Sequence, residues 1–186
     1  MLSEIKDEIN IRQKILTEVF DTLQSYIYTA SIILKETINQ DNSIFLFGNG
    51  TNIFNIQNLT LSINSNKKAN AISLCENVAR ITAIANNFGI DRIYDKQIEL
   101  RAKPEDLLIG FSTSGNSKNV LRALSLGRNI GCKTIGFSGC GGGSMDNFCD
   151  LNLIVPSDDM KTIQELHLMI GNIVSGFNSR LSQNNT

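Results

Sequence analysis

The sequence predicts an α/β fold, with a parallel sheet covered by helices on both faces and a long helical region in front of it. Two patterns lead to this prediction. Beyond residue 40, short apolar runs punctuated by Gly and Ser alternate with segments of helical periodicity, as parallel strands and their crossover helices do. Residues 1–40 have apolar positions at helical spacing and no Gly or Pro, which favours uninterrupted helix.

The N-terminal region is predicted to form one or two long amphipathic helices. Its apolar residues recur at helical spacing from Ile5 to Leu34, so one face of the helix is apolar. Covering the sheet is the simpler use of that face, and pairing with a second subunit is the alternative.

Five apolar runs have the length of strands, and helical stretches lie between them. The predicted strands are Ser43–Phe47, Ala69–Leu74, Asp106–Phe111, Lys133–Phe137 and Leu151–Val155. The predicted helices are Ile53–Asn64, Val78–Asn87, Arg92–Arg101, Ser117–Asn129 and Asp159–Leu181. Asn64–Lys68 and the glycine-rich Ser138–Gly143 are predicted loops. We expect a single domain over residues 1–186, with a disordered polar tail at residues 182–186.

Composition and charge exclude several classes of function. A net charge of −1 without a run of Lys or Arg leaves no electrostatic footprint for nucleic acid. No apolar run approaches the roughly 20 residues of a membrane-spanning helix. The four cysteines form no C-x-x-C pair and follow no secretory signal. We therefore expect reduced thiols, a cytoplasmic protein and no zinc site built from cysteine.

Two small polar loops are the candidate binding site. In an open parallel sheet, ligands bind beyond the carboxyl ends of the strands, where the strand order reverses. Gly48–Asn52 follows the first predicted strand, and Ser112–Ser117 follows the third. The second loop has four hydroxyl side chains and leads into a helix, whose first N–H groups favour an anion. Helix capping is the alternative role, but one hydroxyl is enough for a cap, so we expect a phosphate monoester here.

The first loop by itself is a weak signal. Its Gly48-Asn49-Gly50 pattern lacks the third glycine of a dinucleotide fingerprint, and no Gly-Lys-Ser/Thr follows as in a P-loop. No nucleotide cofactor is expected.

Five segments resemble the phosphoheptose isomerase branch of the sugar isomerase (SIS) family, in order and at matching spacing. They are Phe47–Gly50, Thr82–Gly89, Leu107–Ser117, Val155–Asp159 and Ile163–His167. The resemblance implies a flavodoxin-like, three-layer fold with a five-stranded parallel sheet, a homotetramer, and a sugar-phosphate pocket at the subunit interface. The binding residues we expect on this basis are Asn49, Gly50, Thr51, Ser112, Thr113, Ser114, Ser117 and Gln164.

The resemblance is weaker at the reactive centre of the isomerases. That branch has a His and a Glu one turn apart where this chain has Asn58 and Ser62, and a Gln and a His where it has Gln164 and Asn172. Zinc would be expected in the isomerases, but three of these four positions have lost the side chains that bind a metal or transfer a proton. We therefore expect no metal and no cofactor.

Three other residues are weak candidates for a catalytic base. Glu76 stands beside Asn77, the position where the isomerases carry an aspartate, and Glu165 and His167 lie on the final helix with Gln164. A lone His is more often a packed structural residue than a catalyst, so none of the three is favoured.

Ser62, Asn172 and the Gly48–Thr51 loop also resemble a second branch, the DnaA initiator-associating protein DiaA. This resemblance implies a non-catalytic tetramer that acts as a regulator or partner of the replication initiator DnaA, and that is the expected function. Asn58 departs from this branch, which keeps a His there, and only Leu181 stands near its C-terminal Leu-Phe pair.

Two alternatives stay open at this point. The first is a phosphoheptose isomerase that acts on sedoheptulose 7-phosphate in lipopolysaccharide synthesis. It would use one of the three weak candidates as its base. The second is a sensor whose partner binding depends on a sugar phosphate.

Overall fold

The computed structural model describes the backbone of residues 2–183 and the side chains of residues 2–176. The helices are α1 (Leu2–Asn39), α2 (Asn52–Asn64), α3 (Val78–Phe88), α4 (Asp95–Glu99), α5 (Lys118–Ile130) and α6 (Met160–Gln183). The strands are β1 (Ser43–Gly48), β2 (Asn70–Ser73), β3 (Leu107–Ser112), β4 (Lys133–Ser138) and β5 (Leu151–Ile154). Short 3₁₀ turns occur at Ile90–Arg92, Cys140–Gly142 and Met145–Asn147.

The five strands form one parallel sheet in the order β2-β1-β3-β4-β5. This is the flavodoxin-like order, and the predicted α/β fold is confirmed. The chain passes from β1 to β2 at the edge and then returns past β1 to β3, so the order reverses between β1 and β3. Gly48 at the end of β1 pairs in register with Phe111 of β3, which brings the loops after these two strands together.

The sheet is buried between two helical layers. Helix α6 packs against both α1 and α2 on one face, while α4 and α5 pack together on the other. The strands bring large apolar side chains into both interfaces, and Phe45, Phe47, Phe111 and Phe137 are fully buried. Burial on both faces explains why the strands read as continuous apolar runs.

The N-terminal region is one helix rather than two, because nothing between Leu2 and Asn39 interrupts it. Its middle and C-terminal parts cover the sheet through buried residues that include Val19, Leu23 and Leu34. Its first two turns are exposed. The core-covering interpretation is therefore correct for the second half of the helix.

Most predicted boundaries differ from the observed ones by one or two residues, and one helix was predicted wrongly. In place of one helix over Arg92–Arg101, the chain makes a 3₁₀ turn and the short α4, because Ile93 and Tyr94 turn into the core between them. The predicted tail is helical through Gln183, since neither Ser182 nor Gln183 breaks a helix. Residues 184–186 of that tail lie outside the described residues, as does the side chain of Leu181. Within the described part of the chain, no helix is both long and apolar enough to cross a membrane.

Candidate functional site

The candidate site lies at the carboxyl edge of β1 and β3, where the strand order reverses. The loop after β1 leads into α2, and the loop after β3 leads into α5. The N-termini of α2 and α5 therefore meet at this edge. The first N–H groups of α2 already donate to the Asn49, Gly50 and Thr51 carbonyls at 3.3, 3.1 and 3.2 Å, so the N-terminus of α5 is the one that offers donors to a ligand. Such an arrangement favours an anion.

Reciprocal hydrogen bonds between two side-chain amides join the loops. Asn49 Nδ2 donates to Asn119 Oδ1 at 2.8 Å, and Asn119 Nδ2 donates to Asn49 Oδ1 at 3.0 Å. The Tyr94 hydroxyl donates a hydrogen bond to the Gly48 carbonyl at the end of β1. Burial raises the pKa of Tyr94, so this phenol stays a donor. The sequence analysis missed both Asn119 and Tyr94; Asn119 stood only two residues beyond the expected loop, whereas Tyr94 carried no sequence signal.

The second loop is held by its own hydroxyl groups. Ser112 Oγ and Ser117 Oγ lie 2.9 Å apart, and the Ser117 N–H donates to Ser112 Oγ at 3.3 Å. Ser117 precedes α5 as its N-cap residue but makes no side-chain capping bond. The capping interpretation of this residue is therefore wrong, and the first N–H groups of α5 are left to other partners.

The glycine-rich segment after β4 supports the second loop. The Gly139 N–H donates to the Thr113 carbonyl at 3.0 Å. Gly115 has a φ of +65°, and a Cβ added there would lie 1.9 Å from the Gly142 carbonyl oxygen. Ser138–Gly143 was predicted as a loop for reasons of backbone freedom. Ser138 instead ends β4, and the structure adds a close approach that only glycine permits.

The expected binding residues differ in their exposure. Ser112 and Thr113 are buried, Asn49, Ser117 and Gln164 are half-buried, and Gly50, Thr51 and Ser114 are exposed. All except Gln164 belong to the two joined loops. Gln164 lies on α6 beside α2 instead, where its main-chain carbonyl accepts a hydrogen bond from Asn55 Nδ2 at 2.9 Å.

Zinc does not fit the seam between α2 and α6, where the isomerase resemblance would place it. Asn58, Ser62 and Asn172 offer neutral amide and hydroxyl groups, whereas zinc in proteins takes imidazole, thiolate or carboxylate. Ser62 Oγ is already bonded to Ser175 Oγ at 2.7 Å. Across residues 2–176, no three His, Cys, Asp or Glu side chains cluster so as to hold a metal ion.

His167 is a core residue. It is 1% exposed and packs edge-on against the rings of Phe111 and Phe137. Its Nε2 lies 3.1 Å from the Ser138 carbonyl, so Nε2 carries the proton and donates. Burial lowers the pKa of His167 from 6.5 to about 4. The neutral ring is therefore part of the packing under β3 and β4, with no route to a ligand at the loops.

Glu165 faces away from the loops. Its carboxylate pairs with Arg12 Nε of α1 at 3.0 Å, in the groove between α1 and α6. The main-chain carbonyl of the neighbouring Gln164 accepts a hydrogen bond from Asn55 of α2. Glu165 thus lies on the wrong side of its helix to reach the two loops of its own chain.

Glu76 lies at the same edge of the sheet as the loops. Strand β2 is adjacent to β1, and the Leu74 N–H continues this pairing by donating to the Leu46 carbonyl at 2.9 Å. The next residue, Cys75, has its Sγ 3.4 Å from the Gly48 carbonyl. Glu76 follows it and is exposed. Of the three weak candidates, only Glu76 is next to the first loop.

Comparison with known proteins identifies the family. The model of the SIS domain family matches residues 9–139. The phosphoheptose isomerase of Aliarcobacter butzleri is 41% identical over 174 residues, which cover 91% of this chain and 92% of that protein. The phosphoheptose isomerase of Nitratiruptor sp. is 38% identical over 179 residues, covering 94% and 96%. The structure of a phosphoheptose isomerase from Francisella tularensis superposes with a TM-score of 0.91 at 27% identity, covering 97% of this chain and 98% of that one.

These relatives correct the functional expectation. A non-catalytic, DiaA-like regulator of DnaA was predicted because Asn58, Ser62 and Asn172 replace reactive side chains. That prediction is wrong, because relatives that match this chain over nearly their whole length are phosphoheptose isomerases. DnaA was expected as a partner only on the basis of that prediction, so the argument for it no longer holds. The chain belongs to the SIS domain family and, within it, to the phosphoheptose isomerases.

Proposed function

We propose that this protein is a sugar-phosphate isomerase that interconverts sedoheptulose 7-phosphate and the corresponding aldoheptose phosphate. The observation that carries the proposal is the pair of loops joined by Asn49 and Asn119. They present hydroxyl groups and the N-terminus of α5 at one edge of the sheet. The isomerase relatives support the reaction class.

The phosphate is bound by the second loop in this proposal. The exposed Ser114 hydroxyl and the N-terminus of α5 supply donors on one side, and the exposed Thr51 hydroxyl supplies one on the other. Lys118, exposed in the first turn of α5, adds a positive charge beside Ser117. Asn49 and Gly50 shape the first loop, and Gln164 contacts the sugar from the α6 side.

The proposal includes a cytoplasmic homotetramer. Four free thiols fit a reducing compartment. Helix α3 buries none of its residues, and Val78 and Phe88 are 68% and 56% exposed. Ile5 and Phe20 of α1 are 57% and 56% exposed. Apolar side chains this exposed are typical of surfaces that another subunit covers. Light scattering coupled to size exclusion should give four times the mass of one chain.

Turnover of sedoheptulose 7-phosphate tests the proposal. Ser114→Ala removes one hydroxyl of the phosphate site and should raise KM about 10-fold, the loss of one charge-assisted hydrogen bond. Ser125→Ala on α5 is the matched control, because Ser125 lies two turns beyond the loop. If the wild-type protein binds the sugar phosphate in calorimetry but never turns it over, the isomerase proposal is wrong.

A further inference from the structure

The proposed isomerisation requires a group that moves a proton between adjacent carbons. Starting from the ketose, a base takes a proton from C1, and the C1–H electron pair forms an enediolate with C2 and its oxygen. The base exchanges its acquired proton with solvent and then delivers a proton to C2, while the proton of the C1 hydroxyl passes to the C2 oxygen. No oxidant or reductant is consumed, so one well-placed base with access to the sugar is sufficient.

Two of the three candidate bases are remote from the loops of their own chain. The one histidine of the chain is enclosed by Phe111 and Phe137. Glu165 is held by Arg12 in the α1–α6 groove. Neither reaches a sugar whose phosphate lies on the Ser112–Ser117 loop of the same chain.

Glu76 lies at a distance that suits a sugar phosphate. Glu76 follows β2, the Ser112–Ser117 loop follows β3, and β1 runs between these two strands. The loop after β2 and the loop after β3 are therefore two inter-strand spacings, or about 10 Å, apart. A linear sugar phosphate has its phosphate and carbonyl at opposite ends, so its site needs an anion pocket and a base separated by roughly the sugar's length. Gly48–Asn52 then forms the floor between them.

The carboxylate of Glu76 is available for this role. It is exposed, and none of the ion pairs found among the described residues includes it. The α2–α6 seam offers no alternative, because the Ser62 and Ser175 hydroxyls bond to each other there. A neutral seam of amides and hydroxyls neither accepts a carbon-bound proton nor holds zinc.

We propose that Glu76 is the catalytic base of this isomerase and that no metal ion at the α2–α6 seam takes part. The inference rests on the proposed function and deepens it. It assigns proton transfer to the loop after β2 instead of to the helices.

Glu76→Gln tests the assignment, with Glu165→Gln as the matched control for the same chemical change. Each protein is assayed with sedoheptulose 7-phosphate in the presence of EDTA. In a separate measurement, the sugar phosphate is incubated with each protein in D₂O and its carbon-bound deuterium is followed by NMR. Calorimetry measures sugar-phosphate affinity.

Glu76→Gln should lose both turnover and deuterium exchange by 10²-fold or more, the usual contribution of a general base, with affinity within about 3-fold of wild type. Glu165→Gln should match wild type, because its ion pair is exposed and contributes little. Activity of the Glu76→Gln variant, or loss of wild-type activity in EDTA with recovery on adding zinc, would overturn the assignment while leaving the isomerase proposal intact. A wild-type protein that neither turns over nor exchanges the sugar would instead refute the isomerase proposal itself.

Discussion

Asn49, in the loop after β1, and Asn119, in the first turn of α5, exchange two hydrogen bonds at 2.8 and 3.0 Å although they are 70 residues apart in the chain. Each amide uses one donor and one acceptor in this pair. Asn119 Oδ1 also accepts from the Val120 N–H at 2.9 Å, which ties the pair to the first turn of α5. The two halves of the candidate phosphate site are therefore positioned as one unit.

Removing this pair should weaken ligand binding. In Asn119→Ala, both amide hydrogen bonds are lost, and each contributes about 1 kcal/mol. We expect the affinity for sedoheptulose 7-phosphate to fall about 30-fold in calorimetry. Asn129→Ala, an exposed amide near the end of the same helix, should bind as wild type does. Equal affinities for the two variants would show that the amide pair does not position the site.

The approach of two glycine segments gives a second prediction. Gly115→Ala places a Cβ against the Gly142 carbonyl, so the phosphate loop must move. Gly141→Ala provides the control, because Gly141 has a similar φ of +71° and nothing within 4 Å of the added Cβ. Both variants carry backbone strain of about 1–2 kcal/mol, but only Gly115→Ala should also lose affinity for the sugar phosphate, by more than 10-fold. Comparable losses of affinity would contradict the steric argument.

The buried imidazole makes stability depend on pH. The pKa of His167 is lowered to about 4 in the folded protein from 6.5, so the unfolded chain binds more protons between these values. The stabilisation by neutral His167 is complete above pH 6.5, declines as pH falls toward 4, and amounts to about 3 kcal/mol over that window. Urea unfolding at pH 7, 6 and 5 measures the decline. His167→Gln should show a smaller decline over the same range, and an unchanged one would assign it to other groups.

The neutral α2–α6 seam predicts the metal content. Purified wild-type protein should contain less than about 0.1 zinc per chain by elemental analysis, because amides and hydroxyls are poor zinc ligands. The triple variant Asn58→His, Ser62→Glu, Asn172→His adds two imidazoles and a carboxylate along this seam, and we expect it to acquire about one zinc per chain. Stoichiometric zinc in the wild-type protein would contradict this account.

The sequence by itself determined the fold and the location of the site. Apolar runs buried on both faces specified the parallel strands, and the small polar loops after the first and third strands marked the edge that carries the candidate site. The sequence did not determine where every helix begins and ends. Ile93 and Tyr94 fit a helical pattern in the sequence, but in the structure they interrupt the helix because their side chains are buried in the core. That burial depends on residues distant in the chain.

The tertiary structure decided which candidate side chains can act together. Nothing in the sequence favoured one of the three candidate bases over the others. In the structure, Glu76 lies beside the first loop, Glu165 pairs with Arg12, and His167 is enclosed by two phenyl rings. The amide pair of Asn49 and Asn119 could not be predicted from the sequence either, because no local sequence pattern relates two residues so far apart in the chain. Local sequence encodes periodicity and turn chemistry, whereas the orientation and burial of a side chain depend on contacts made only when the strands assemble.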